Sequence, residues 1–155
     1  MARNLVRESY DKLKHLPGGK RLFSKLIGKA APFTGTIDAR VVKLEQGHAV
    51  VEMKDRRAVR NHLNSVHAIA LMNLAEMTTG LAFTYSIPAD ARAILTGLSI
   101  DYLKKGRGTL RGECWCEVPS DNTRREIEIT GSLRDTRGDE VAVARARWLV
   151  GPRKE

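Results

Sequence analysis

Apolar positions recur at helical spacing twice near the start of the chain and at every second residue over most of the rest, with the switch at Phe33. Over residues 4–16, Leu5, Val6, Tyr10, Leu13 and Leu16 share one helical face, and Pro17-Gly18-Gly19 stops the run. Over residues 20–30, Leu22, Phe23, Leu26 and Ile27 form a second face opposite Lys and Arg, and Pro32 closes it. After Phe33, two β-runs flank Gln46-Gly47. Further on, Ile94, Thr96, Leu98, Ile100 and Tyr102 alternate with Leu95, Gly97, Ser99 and Asp101, so a single uninterrupted strand is expected with Thr96 on its inward face. "GTLRGECWCEV" sends Leu110, Gly112, Cys114, Cys116 and Val118 inward and Arg111, Glu113, Trp115 and Glu117 outward. "REIEITGSLRD" sends Ile127, Ile129, Gly131 and Leu133 inward, and "EVAVARARWLV" is the last run, reached through the turn "DTRGD".

One segment breaks the alternation. From about Ser65 to Phe83, apolar residues cover nearly every side of a helix, and a helix apolar all round is a buried one. The chain is therefore expected to be α+β, with about five antiparallel strands curled around one long central helix and two short helices in front. The change of pattern divides it into a helical extension, 1–32, and a main domain, 33–155.

The length of 155 residues suits one core, and the formal net charge of +9 favours an anionic partner: nucleic acid, an anionic membrane or a phosphorylated small molecule. Nucleic acid is disfavoured, because aromatics are only 5% of the chain and the basic residues are spread over loops, helices and the C-terminal "GPRKE". No run approaches the roughly 18–20 apolar residues of a membrane span, and no signal-peptide pattern opens the chain, so a cytoplasmic location is expected. The two cysteines, Cys114 and Cys116, are a poor zinc set and read as strand-core residues.

The stretch "NHLNSVHAIALMNLAE" runs into the buried helix and ends on a carboxylate, Glu76. With Asn61, Asn64, His67-Ala68-Ile69 and Leu74-Ala75-Glu76 at their spacing, and "LSIDYLKKGRGTLRGECWCEV" after them, residues 33–150 resemble the hotdog-fold thioesterase superfamily, and within it the PaaI-like acyl-CoA thioesterase branch. That branch carries Asn-x-x-Gly-x-x-His-Gly-Gly before its helix. Asn64, Ala68 and Ile69 stand where it has glycines, and Glu76 where it has Asp. The resemblance implies a hotdog fold, an acyl-CoA substrate and a homodimer with sheets joined edge to edge, or a dimer of dimers. No metal is implied, and coenzyme A enters only as part of the substrate.

The chemistry of thioester cleavage sorts the candidates. A helix start offers N–H groups with no intrahelical acceptor and the positive end of the dipole, so the amides near His67 and Ala68 are candidate oxyanion donors. Glu76 is the candidate base or nucleophile, since an apolar wall raises a carboxylate's basicity. Asn61 is placed to hold the water or the thioester oxygen. Asn64, Ile69, Met72, Asn73, Thr79 and Thr96 are candidate substrate contacts, and Arg60, Lys104, Lys105 and Arg107 are candidate phosphate ligands for coenzyme A. His62 reads as a surface residue. Ala68 and Glu76 are eight residues apart on one helix, about 12 Å, so one thioester carbon reaches both only if they come from two chains. A non-catalytic acyl-thioester binding or sensing module is the competing reading of the same residues, and an acyl-carrier-protein thioester the competing substrate.

Overall fold

Gly47, with φ of +72°, turns the chain between β1 (Arg40–Glu45) and β2 (His48–Met53), and Glu45 pairs directly with His48 across that turn. The remaining strands are β3 (Ala91–Tyr102), β4 (Leu110–Trp115), β5 (Arg125–Arg134) and β6 (Glu140–Pro152). In this computed structural model, which describes residues 1–154, they form one antiparallel sheet in the order β1-β2-β4-β5-β6-β3. The sheet has six strands, against about five expected from the sequence.

The central helix, α4 (Ala68–Ser86), begins three residues later than the apolar pattern does and packs against every strand. Leu74, Ala75, Ala82 and Phe83 on it are fully buried. It approaches the sheet closely because two inward positions are glycines. A Cβ at Gly112 of β4 would sit 2.4 Å from Thr78 Oγ1, and one at Gly131 of β5 would sit 3.0 Å from Thr79 Cγ2. This is the hotdog arrangement: an antiparallel sheet wrapped around one long helix.

The N-terminal helices tie down both ends of this wrap. In α1 (Leu5–Leu13), the cap residue Asn4 donates its side-chain amide to the carbonyls of Thr84 (2.8 Å) and Ile87 (3.2 Å), and Arg7 donates to Tyr85 O (2.8 Å) and Ile87 O (2.6 Å). The last carbonyls of α4, which have no partners within the helix, are satisfied this way. Tyr85 OH donates to Asp11 at 2.8 Å, and burial together with that carboxylate pushes the phenol up to about 12. Helix α2 (Gly19–Ala30) covers the free edge of β1: Ser24 Oγ accepts from Val41 N at 2.9 Å, and Lys20 donates to Val42 O at 2.8 Å. A four-residue turn of helix, α3 (Pro32–Gly35), follows where the sequence pattern ends at Pro32. Replacing Ser24 by Ala leaves Val41 N–H buried without its acceptor, and a loss of about 1–3 kcal/mol is expected in denaturant unfolding.

The opposite edge of the sheet, β3, is bare along its 12 residues in the single chain. Here the sequence expectation needs correcting. The register shifts between Leu95 and Gly97, a bulge at Thr96 that reverses the alternation. Ala93 and Leu95 on one side of it, and Leu98 and Ile100 on the other, pack toward the core, while Ile94 and Thr96 are exposed on the outer face. Past Trp115, where β4 ends, Cys116 still packs against the core as expected, but Val118, expected inward, is exposed. Among the described residues, no helix is long and apolar enough to cross a membrane.

Candidate active site

The loop before α4 is organised by Asn61. Its side-chain oxygen accepts from Leu63 N (2.9 Å), Ser65 N (3.3 Å) and Ser65 Oγ (3.2 Å), which closes a tight turn. Asn64 sits inside that turn with φ of +54°, a left-handed conformation that Asn tolerates better than most residues. Its side-chain oxygen accepts from Arg60, which also donates to Asp55 at 2.6 Å. Arg60 thus ties Asp55 to the turn through Nε and Nη1.

Beyond the turn, Val66 N–H donates to Gly106 O and His67 N–H to Val59 O, both at 2.8 Å. His67 is the N-cap of α4, and its Nδ1 accepts from Ile69 N–H at 3.0 Å. Tyr102, at the end of β3, donates to Ala68 O at 2.8 Å and fixes the first turn from the other side; burial raises its phenol. The amides of His67 and Ile69 are thus occupied. Among the described residues, the N–H groups of Ala68 and Ala70 have no acceptor. They are the open donors of the helix tip, so the sequence expectation narrows from the neighbourhood of His67 to Ala68 and Ala70.

Shallow clefts flank this tip. One, of about 190 Å³, is lined by Phe33, Val59, Arg60, His67, Ile69 and Asn73. Another, of about 240 Å³, is lined by residues that include Asn61, Ala68, Tyr102, Lys104 and Lys105. A larger one, of about 470 Å³, lies between α2, α3 and Met77. Glu76 lines none of the three.

Glu76 lies two turns along α4 and is its only charged residue. Its carboxylate is half-buried, and among the described residues it has neither a hydrogen bond nor an ion pair; burial alone raises its pKa above the ordinary 4.5. Its place around the helix is fixed by Gly80, one turn on, which packs against Trp148 of β6; Trp148 pairs with Leu95 of β3. Glu76 thus faces the side of the molecule that ends in the bare β3 edge, and Ile69 and Met72 extend the same stripe toward the helix tip.

The other candidates divide. Lys105 and Arg107 have no ion pair among the described residues, whereas Lys104 is held by Asp135 (2.7 Å) and Asp139 (2.9 Å), a clamp on the β5–β6 turn. Asn73 is a strut, donating to Phe33 O at 3.1 Å. Thr79 is core: it is fully buried, and its hydroxyl returns to Ala75 O at 3.0 Å. Thr96 lies on the outer face, where its hydroxyl is within hydrogen-bond distance of Glu126 (2.9 Å) and Arg147 O (3.1 Å). Tyr102 and Trp148 were not among the sequence candidates. Tyr102 shows in the sequence only as one more alternating apolar position, and Trp148 only as part of an apolar final strand.

A family described as domain of unknown function (DUF4442) matches residues 19–150. The chain belongs to that family. Solved structures share the hotdog fold of this chain. A structural-genomics protein is 29% identical with a TM-score of 0.82, covering 97% of this chain and 98% of its own. A Pseudomonas aeruginosa protein of unknown function, described as a probable thioesterase, is 23% identical with a TM-score of 0.77, covering 89% of this chain and 97% of its own. A Streptococcus mutans protein bound to acetyl-CoA is 26% identical with a TM-score of 0.62, covering 74% of this chain and 90% of its own. Curated proteins give no match.

Proposed function

We propose that this chain is a PaaI-like acyl-CoA thioesterase that works as a homodimer joined along β3. The observation that carries the reading is Glu76: a half-buried carboxylate without a partner, on the side of the helix that faces an unpaired sheet edge. A charge kept in an apolar wall with nothing to neutralise it is costly, and such groups concentrate where chemistry needs a base.

The two edges of the sheet support the dimer. Natural sheets cover or blunt their edges. Here α2 covers β1, while β3 is long and bare and borders exposed Tyr102, Leu103 and Ile69. A two-fold pairing of β3 with its copy brings the helix tip of one chain toward Glu76 of the other and builds the site twice. In each site the N–H groups of Ala68 and Ala70 would bind the developing oxyanion. Glu76 would activate a water or attack the thioester carbon, and coenzyme A would leave as the thiol. The Streptococcus mutans protein, which binds acetyl-CoA, supports a coenzyme A thioester over other anionic ligands.

Purified protein incubated with a panel of short, medium, long and aryl acyl-CoA esters, and with acyl-carrier-protein esters, is expected to release free thiol from at least one. Failure on every member refutes the hydrolase. Saturable acyl-CoA binding without turnover would instead favour a non-catalytic binder, a reading with one observation behind it: the Ala68 and Ile69 side chains stand at the tip where the resembling branch has glycines. Lys105→Ala with Arg107→Ala is expected to raise KM for acyl-CoA several-fold with little change in kcat, because unpaired cations near the tip act on the carrier phosphates rather than on the reacting carbon. Lys104→Ala is expected to leave KM unchanged, since Asp135 and Asp139 already hold that ammonium.

A further inference from the structure

Trp148 is 5% exposed, and its indole Nε1–H is buried without an acceptor. Buried donors are nearly always paired, so an orphan needs a reason. Packing does not supply one. A phenylalanine at this position would fill much of the same space beside Phe83, whose ring centroid lies 6.4 Å away, with no polar group to desolvate.

The reason stands on the neighbouring helix. The indole edge rests on Gly80: a Cβ built there would be 3.1 Å from Trp148 Cζ2 and 3.1 Å from Cη2. The same point is 3.8 Å from Glu76 Oε1. Cζ2 is bonded to the ring carbon that carries Nε1, so the N–H lies on that side of the ring. A donor lacking an acceptor and a carboxylate lacking a donor therefore flank one residue with no side chain to separate them.

We propose that Trp148 is the positioning residue of Glu76, its indole N–H donating to the Glu76 carboxylate in the ionised state. Trp148 touches no substrate in this account. It holds one carboxylate oxygen so that the other faces the thioester. The catalytic meaning rests on the thioesterase reading, but the Glu76–Trp148 coupling does not.

Among the described residues, no other charge competes for this carboxylate. Glu76 is the only charged residue of α4, and its shift has burial as its single cause. On the strands beside Trp148, the charged side chains Arg92, Glu126, Glu128, Arg145 and Arg147 are exposed. On α1, Arg7 and Asp11 are engaged with Tyr85 at the far end of the helix. On α2, Lys25 is paired with Asp38, and Lys29 is exposed.

The chain has two tryptophans, so a ¹⁵N-labelled sample gives two indole N–H resonances, which Trp115→Phe assigns. The Trp148 resonance is expected to move downfield as the pH rises through the Glu76 titration, and to stay still in Glu76→Gln. Gly80→Ala, which sets a methyl between the partners while keeping both, is expected to reduce the movement. A Trp148 resonance that does not move between pH 4 and 8, or that moves equally in Glu76→Gln, overturns the proposal whether or not the protein is a hydrolase. Where thiol release is measurable, Trp148→Phe is expected to shift the acid limb of kcat to higher pH and lower kcat at least several-fold with KM unchanged. An unmoved acid limb overturns the positioning role.

Discussion

Glu76→Gln is expected to lower acyl-CoA turnover by roughly 10²–10⁴-fold, the range that a positioned general base contributes. The protein should stay folded, because the amide keeps the side chain's shape and removes a charge that nothing in the chain neutralises. The sign of the pH effect follows from the direction of the shift. Burial raises the folded-state pKa of Glu76 above its unfolded value, so the neutral form suits the folded state and the ionised form is penalised. The stability linked to this group is fully present below the unfolded value, near 4.5, and is lost as pH rises through the raised folded value. Wild-type melting curves should carry that loss, and Glu76→Gln should lack it and melt at or above the wild-type temperature at pH 7–8. Thiol release by Glu76→Gln at the wild-type rate would remove Glu76 from the chemistry.

Leu98→Lys is expected to convert the dimer to a monomer and abolish turnover, with a loss on the order of 100-fold or more, since each site would lose either its helix tip or its carboxylate. Leu98 lies past the bulge on the helix side of the bare strand, half-buried in the single chain. A lysine facing inward on an edge strand is a device natural sheets use to prevent pairing. Light scattering and thiol release on the same sample give the answer together. A stable monomer with full activity contradicts the shared site.

Much of the fold is legible in the sequence because its strongest signals are local. The all-round apolarity of residues 65–83 marks the buried helix, and period-two alternation marks the strands. The bulge at Thr96 is not legible: "AILTGLSI" reads equally well as one unbroken alternation, and only the pairing of Leu95 with Trp148 and of Gly97 with Arg147 of β6 shows the slip. The candidate site divides the same way. Asn61, His67, Ala68 and Glu76 stand out by spacing on a single segment. The commitments of Lys104 to Asp135 and Asp139, of Arg60 to Asp55, and of Thr79 to the core depend on contacts that spacing does not encode. The role of the N-terminal helices is likewise tertiary: Asn4 and Arg7 satisfy carbonyls about 80 residues away.

A backbone donor can be removed at the helix tip without breaking the helix. Ala68 is the first helical residue, where proline is tolerated, and His67 before it is already extended with ψ of 140°, as a residue preceding proline requires. Ala68→Pro should therefore keep the fold and lose turnover by roughly 10²–10³-fold. Chains carrying Ala68→Pro and chains carrying Glu76→Gln, each inactive alone, can be unfolded together and refolded. If one site takes its amide from one chain and its carboxylate from the other, half of the dimers are mixed and each mixed dimer has one intact site, so activity should return to about a quarter of the wild-type level. Mixed dimers that form but remain inactive would contradict a site built from two chains.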